Sequence, residues 1–164
     1  MKTLRLLLGD QLNSEHSWFD EVNPNVMYVM AEMRQETDYV KHHIQKVVVF
    51  FLSMRNFSEE LINKGHQVVY YKISDANNPQ DLEKLILDLV EKNTIEQFEY
   101  QFPDEYRLDE QLKAICKKLS ISTKAVDSEH FYTSRNELAD FFKGKKQLLM
   151  ESFYRMMRKK HVIL

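Results

Sequence analysis

Five short apolar segments alternate along this chain with longer segments of helical periodicity, and this alternation restricts the fold more than any other feature. The predicted strands are Thr3–Leu8, Asn25–Ala31, Gln67–Lys72, Ile95–Tyr100 and Ser122–Val126. Strands that alternate with helices over such a length are typical of a parallel sheet with helices on both faces. The chain is therefore predicted to be an α/β protein.

The helical segments repeat apolar residues at spacings of three and four. The longest is predicted from about Thr37 to Lys64 and should end at Gly65, because glycine commonly follows the last turn of a helix. Further helices are predicted at Gln80–Glu91, from about Tyr106, at Asn136–Phe142 and within Gln147–His161. Together with the strands they predict a three-layer, five-stranded parallel sheet of the Rossmann-like or flavodoxin-like kind.

Composition excludes several classes of protein. The 164 residues are 43% hydrophobic, which is enough for a folded core, and no apolar run approaches the roughly 20 residues that span a bilayer. Cys116 is the single cysteine, so an internal disulfide and a cysteine-only metal site are excluded. The net charge of −2 gives no support to binding of DNA by the chain as a whole. No signal peptide is recognisable, so we expect a cytoplasmic protein without a membrane partner.

Polar clusters follow the predicted strands, at the edge where open α/β sheets bind ligands. They are Asp10-Gln11, Glu32 with Glu36, Ser74-Asp75, Phe102 with Asp104 and Glu105, and Asp127-Ser128. Carboxylates accept hydrogen bonds from ring N–H groups or sugar hydroxyls, and aromatic side chains stack on flat rings. The clusters therefore suit a heteroaromatic ligand that carries a polyol. The alternative is structural, since solvated loops and helix caps are also polar.

Motifs of common enzyme classes are absent from the sequence. It contains no G-x-G-x-x-G, no P-loop and no G-x-S-x-G, so we expect no dinucleotide or triphosphate site, no catalytic residues and no metal site. A basic cluster near the end of the chain could follow phosphates of a nucleic acid or could be a solvated surface. Its members are Lys143, Lys145, Lys146, Arg155, Arg158, Lys159 and Lys160.

The sequence ends on three aliphatic residues, Val162-Ile163-Leu164, although chain ends are usually polar. We therefore expect an excerpt of a longer parent, in which residues 1–146 form the α/β domain and residues 147–164 form a basic helix at the start of a linker. The alternative is a terminal helix that docks on its own domain.

Short stretches, in order along the chain, carry a family resemblance. They are Leu7–Leu12, Glu32–Glu36, Tyr39-Val40, His42-His43, Gln45-Lys46, Phe51–Phe57, Gly65–Tyr70, Phe102–Arg107 and Met150–Arg155. In this combination they resemble the N-terminal domain of the deoxyribodipyrimidine photolyase-related proteins, the bacterial branch of the cryptochrome/photolyase superfamily that carries an iron–sulfur cluster.

The resemblance implies an antenna role for this chain. In that branch the α/β domain is associated with 6,7-dimethyl-8-ribityllumazine, whereas FAD and the 4Fe-4S cluster belong to a helical domain that this chain lacks. The chain alone is therefore expected to be non-catalytic. The full-length parent is expected to be a photolyase-like lyase that acts on damaged DNA in light, or a blue-light sensor.

Resemblance and position together imply the residues that contact the chromophore. They are Gly9, Asp10, Gln11, Glu32, Glu36, Tyr39, Phe102 and Asp104. Two other functions stay open: a stand-alone small-ligand or nucleotide-binding domain, and a scaffold that binds DNA or a partner through the basic segment. We also expect that the excised domain can pair with a second copy, through apolar surface near Phe141-Phe142 and residues 153–164.

Overall fold

The computed structural model describes residues 1–38 and 40–163. Their strands are β1 (Thr3–Leu6), β2 (Val26–Ala31), β3 (Gln67–Tyr71), β4 (Gln97–Gln101) and β5 (Ser122–Val126). Their α-helices are α1 (Gln35–Asp38), α2 (Ile44–Asn63), α3 (Leu82–Lys92), α4 (Tyr106–Lys118), α5 (Glu137–Phe142) and α6 (Met150–Lys160). A 3-10 turn, Ser17–Phe19, lies between β1 and β2. The predicted strands are confirmed, with shifts of up to two residues at their ends.

The five strands form one parallel sheet in the order β3-β2-β1-β4-β5. Leu6 of β1 pairs with Val29 of β2 on one side and with Tyr100 of β4 on the other. The predicted α/β architecture is therefore confirmed, with the strand order of a Rossmann-like sheet. In such an order the chain crosses from one side of β1 to the other after β3, and the crevice at that switch point is the usual ligand position.

Side chains alternate between the two faces of the sheet, and each face has its own apolar core. Leu4, Leu6 and Phe98 pack on one face with residues of α3 and α4, such as Ile86 and Leu112. The other face packs against α2 and the 3-10 turn, through Leu7, Tyr28, Met30, Met54 and Trp18. The helices therefore cover both faces, as the alternation of strands and helices predicted.

The predicted continuous helix from Thr37 to Lys64 is wrong, because α1 spans Gln35–Asp38 and α2 begins only at Ile44. His43 is extended, with φ −63° and ψ 136°, and its Nδ1 accepts a hydrogen bond from the Gln45 amide at 3.2 Å as the N-cap of α2. The periodicity hid this break, because Ile44 and Val48 continue the apolar pattern yet are exposed. The predicted end of the helix is confirmed: Gly65 has φ +95° and its amide bonds to the carbonyl of Ile62.

The predicted start of the helix at Gln80 is also displaced, because α3 begins at Leu82. Asp81 is the N-cap, and its side chain accepts a hydrogen bond from the Lys84 amide at 3.0 Å. Asn78 is buried instead, and its amide donates to the carbonyls of Glu32 and Lys72. The segment before α3 is therefore tied to the end of β2.

The chain divides into two compact units, residues 1–126 and residues 127–164. The first unit holds the sheet and helices α1 to α4. Within the second, the ring of Phe153 lies 5.2 Å from that of Phe141, and ion pairs join Arg155 to Glu151 and Lys160 to Glu137. Throughout residues 1–38 and 40–163, each helix is too short or too polar to cross a bilayer.

Candidate functional site

A cavity of about 300 Å³ opens at the carboxyl edge of the sheet, within the first unit. The segments that follow β1 and β2 line it, together with the first half of α2 and the first turns of α3 and α4. This is the edge at which the parallel strands of an open sheet leave room for a ligand. The cavity is therefore the candidate functional site.

The floor and walls of the cavity are mostly apolar. They are formed by residues of both cores and of α2, among them Leu6, Leu8, Met33, Phe50, Met54 and Leu108. Apolar walls with a few polar groups are typical of sites for small organic ligands, and the volume lies at the small end of the range for such sites. The cavity therefore suits one compact ring system.

Gly9 permits the close approach of the β1 end to the side chains of α2. A Cβ atom at this position would lie 2.3 Å from Cζ of Phe50 and 2.9 Å from Sδ of Met54. Real Cβ atoms do not approach other heavy atoms so closely, so any larger residue would displace these two side chains. Since Gly9, Phe50 and Met54 all line the cavity, this contact also determines its shape.

Three carboxylates lie at the polar side of the cavity: Asp10 after β1, Glu36 in α1 and Glu105 before α4. Burial raises the pKa of Glu36, and a hydrogen bond from Gln35 opposes the rise. The negative charges of Glu105 and Asp10 raise the pKa of Glu36 further, whereas Arg107 lowers it. A carboxyl group with a raised pKa can donate a hydrogen bond in its protonated form as well as accept one.

Two basic side chains complete the polar lining, His42 in the segment before α2 and Lys46 in the first turn of α2. Lys46 Nζ lies 3.4 Å from Nδ1 of His42, and both residues line the cavity. The lining therefore has a carboxylate side and a basic side. Our sequence reasoning did not name His42, Lys46, Phe50, Met54 or Glu105 as site residues. For Glu105 the signal was its position in the polar cluster that follows β4.

Glu32, a predicted contact, lies beside this cavity but outside its lining, in a closed polar cluster. Its carboxylate receives two hydrogen bonds from Arg55, at 2.6 and 3.0 Å, and one each from the Tyr70 hydroxyl and the Ile73 amide at 2.8 Å. Burial alone would raise the pKa of Glu32, but these hydrogen bonds outweigh it and hold the pKa below its ordinary value. Glu32 is therefore a buried, charged and fully paired carboxylate.

Gln11, another predicted contact, is buried and ties two strand ends together. Its Oε1 accepts from the Leu8 amide at 3.1 Å, and its Nε2 donates to the carbonyls of Gln101 and Phe102 at 3.2 and 3.4 Å. The structure places Gln11 outside the cavity lining. Its hydrogen bonds fix the segment after β1, which carries Gly9 and Asp10, against the end of β4.

The remaining predicted contacts have different positions. Gly9, Asp10 and Glu36 line the cavity together, whereas the half-buried Phe102 and the exposed Asp104 do not. Tyr39 lies outside the described residues.

Two sequence comparisons relate the chain to known proteins. The sequence profile of the family described as deoxyribodipyrimidine photo-lyase-related protein matches residues 5–164. The chain is also similar to a (6-4) photolyase of Agrobacterium fabrum (strain C58 / ATCC 33970), with 32% identity over 165 aligned positions. That alignment covers the whole chain but 32% of the relative, so the chain spans about a third of its length. Because the family profile matches nearly the whole sequence, the chain belongs to the deoxyribodipyrimidine photo-lyase-related protein family.

Proposed function

We propose that this chain is the antenna-chromophore domain of a photolyase- or cryptochrome-like flavoprotein, and that its cavity binds 6,7-dimethyl-8-ribityllumazine. The observation that carries the proposal is the cavity of about 300 Å³ at the carboxyl edge of the sheet, with apolar walls and carboxylates on one side. Membership of the photolyase-related family supports it.

The residues of the cavity fit the chemistry of this ligand. A flat bicyclic ring needs apolar surface on its faces, which Leu8, Met33 and Leu108 would supply. The ribityl chain carries hydroxyl groups, which would donate hydrogen bonds to the carboxylates of Asp10 and Glu36.

The role of the chain in such a protein is to hold a ring in a fixed orientation and to exclude water from it. When bound, the lumazine supplies the absorption of blue light. No residue of the chain then has to act as an acid, base or nucleophile, so an antenna function needs no catalytic constellation in this domain.

Further proposals concern the parent protein, because the chain spans about a third of its photolyase relative. We propose that FAD and a 4Fe-4S cluster are held outside these residues. The parent would then use light for the repair of damaged DNA or for blue-light sensing, in the cytoplasm. For the excised domain we retain the proposal that two copies can pair near Phe141-Phe142 and residues 153–164. Phe153 itself is buried, so the exposed apolar side chains there include Tyr154 and Ile163.

A fluorescence-anisotropy titration of the lumazine with the purified chain tests the antenna proposal. The wild type should bind, and the variant Asp10→Ala/Glu36→Ala should bind at least roughly tenfold more weakly, because two hydrogen-bonding carboxylates are lost. The matched control is Glu59→Ala/Glu91→Ala, which removes the same charge from exposed positions outside the cavity lining and should bind like the wild type.

The other functions give different results in the same experiment. Binding of FMN with no binding of lumazine would favour a nucleotide-binding domain. Failure of both, together with DNA binding that weakens steeply with salt, would favour the scaffold. Within the second unit, Arg155 and Lys160 are already paired with Glu151 and Glu137, which reduces the charge that this surface offers to phosphates.

A further inference from the structure

We propose that the Glu32–Arg55 ion pair is a positioning device that sets the width of the cavity, so that the site accepts a two-ring chromophore and disfavours a three-ring one. The inference rests on the proposed antenna function and concerns the specificity of that same site. Neither residue lines the cavity, so both would act through their neighbours.

The first step is the position of the two partners. Glu32 directly precedes Met33, and Arg55 directly follows Met54, and both methionines line the cavity. The ion pair therefore joins the two lining segments, the β2–α1 segment and α2, immediately beside the site. A change in the length or direction of this pair changes the distance between two cavity walls.

The second step is the rigidity of the pair. The guanidinium of Arg55 donates from Nε to Oε1 at 2.6 Å and from Nη2 to Oε2 at 3.0 Å. Such a two-point contact fixes the relative orientation of both side chains, which a single contact does not. The Glu32 side chain is 0% exposed, so no water competes for its oxygens.

The third step is that the backbone of Glu32 is held as firmly as its carboxylate. Its amide donates to the Tyr71 carbonyl at 2.9 Å, and its carbonyl accepts from the side-chain amides of Asn78 and Gln80 at 3.0 Å. The Arg34 amide also donates to Oε1 of Gln80 at 2.9 Å. The start of α1, which carries Glu36 to the cavity, is thus held to β3 and to the segment before α3.

The volume of the cavity gives this rigidity a consequence for specificity. At about 300 Å³ the cavity lies at the small end of the range for small-molecule pockets, so an additional fused ring leaves less clearance to the walls than a two-ring system does. Walls that are joined by a two-point ion pair and several hydrogen bonds resist separation. Ring size is therefore the property that the pair controls.

The test compares lumazine with riboflavin, because both carry a ribityl chain and they differ mainly in a third ring. In the wild type, the dissociation constant for riboflavin should exceed that for lumazine. Arg55→Lys keeps the charge but loses the two-point contact, so the ratio of the two constants should fall roughly tenfold, the size typical of partners that orient binding groups from outside the site. If the pair only stabilised the fold, its loss would weaken the binding of both ligands equally and leave the ratio of the two dissociation constants unchanged.

A ligand-free readout accompanies the titration. Amide hydrogen exchange of residues 33–37 should accelerate in Arg55→Lys, whereas exchange in α4 should not change. The control Lys64→Gln removes an exposed ion pair with Glu60 on the same helix, and should alter neither the ratio nor the exchange. If Arg55→Lys does not fold, Tyr70→Phe removes one hydrogen bond from the same carboxylate and replaces it in both measurements.

The outcomes separate the two proposals. If the wild type binds neither ligand, the antenna proposal fails, and hydrogen exchange alone decides whether the pair positions the segment. If the wild type binds lumazine but a folded variant keeps the wild-type ratio and wild-type exchange, the positioning proposal is overturned while the antenna function stands.

Discussion

Glu32 and Glu36 both follow β2, yet their carboxyl groups lie in opposite environments. Glu32 is enclosed by Arg55, Tyr70 and the Ile73 amide, and its pKa is lowered. Glu36 is partly buried, faces the charges of Glu105 and Asp10, and has a raised pKa. A carboxylate whose hydrogen bonds are all supplied by the protein serves the fold, whereas one left among like charges is available to a ligand.

Arg55→Met would make the environment of Glu32 resemble that of Glu36, and we expect the largest effect here. A buried carboxylate without its partner should lower the free energy of unfolding by about 3 kcal/mol at pH 7, measured by urea denaturation. In the wild type the lowered pKa of Glu32 stabilises the fold at pH values above about 4.3, the ordinary pKa of a glutamate. This stabilisation is lost as the pH falls. The loss should therefore grow as the pH rises from 4 to 7. A loss of stability that does not change with pH would show that the charge of Glu32 is not its cause.

Gly9→Ala tests whether the cavity wall is as tightly packed as the Glu32 cluster. The added methyl group would overlap Phe50 and Met54, which should lower the free energy of unfolding by about 2 kcal/mol and weaken lumazine binding. The double variant Gly9→Ala/Phe50→Leu should recover part of the stability, because the shorter side chain removes the nearest atom. No loss in Gly9→Ala would mean that the Phe50 ring rotates freely out of the way.

Two uncharged side chains, Gln11 and Gln101, allow the same comparison within the described part of the chain, between a fully paired and an unpaired buried group. Gln11 makes three hydrogen bonds, whereas the buried Gln101 has no partner for its side-chain Oε1 and Nε2 among the described residues. Gln11→Leu should lower the free energy of unfolding by about 1–2 kcal/mol, and Gln101→Leu should raise it by up to about 1 kcal/mol. Thermal and urea denaturation measure both. Destabilisation by Gln101→Leu would indicate an internal water that bridges the amide.

Glu36→Gln should have the smallest effect on stability. A carboxyl group with a raised pKa binds more protons in the folded state than in the unfolded state, so its contribution to stability falls as the pH rises through the ordinary range to the raised pKa. The neutral variant should therefore be more stable than the wild type by about 0.5 kcal/mol at pH 7, and equally stable below pH ~4. A variant that is less stable at pH 7 would contradict the repulsion that we assign to this cluster.

Much of the fold could be predicted because its signals are local. The strands are short runs with turn residues between them, and β5 was predicted at its observed bounds, Ser122–Val126. The break before α2 could not be predicted, because apolar residues continue across it at helical spacing. The apolar residues in the first half of α2 point in two directions: Val47 lines the cavity, whereas Val48 is exposed to solvent.

The site was accessible from the sequence only in part. Asp10 and Glu36 follow strands and line the cavity, as their position at the sheet edge indicated. Glu32 has the same kind of position, but its partner Arg55 is distant in sequence and is brought to it by the packing of α2. Sequence position predicts which edge a side chain occupies, whereas its hydrogen-bond partners depend on helices that arrive from elsewhere.

The strand order described above has a consequence for folding kinetics. The cavity has no complete wall until β4 pairs with β1, a contact that joins Leu6 to Tyr100 and closes most of the first unit into one loop. Pairings of such high sequence separation form slowly and late. A chromophore that binds the finished cavity would select completed molecules, and at a free concentration 100 times its Kd it would add about 2.7 kcal/mol to their stability. Under the antenna proposal, the supply of lumazine would then also affect the lifetime of the protein.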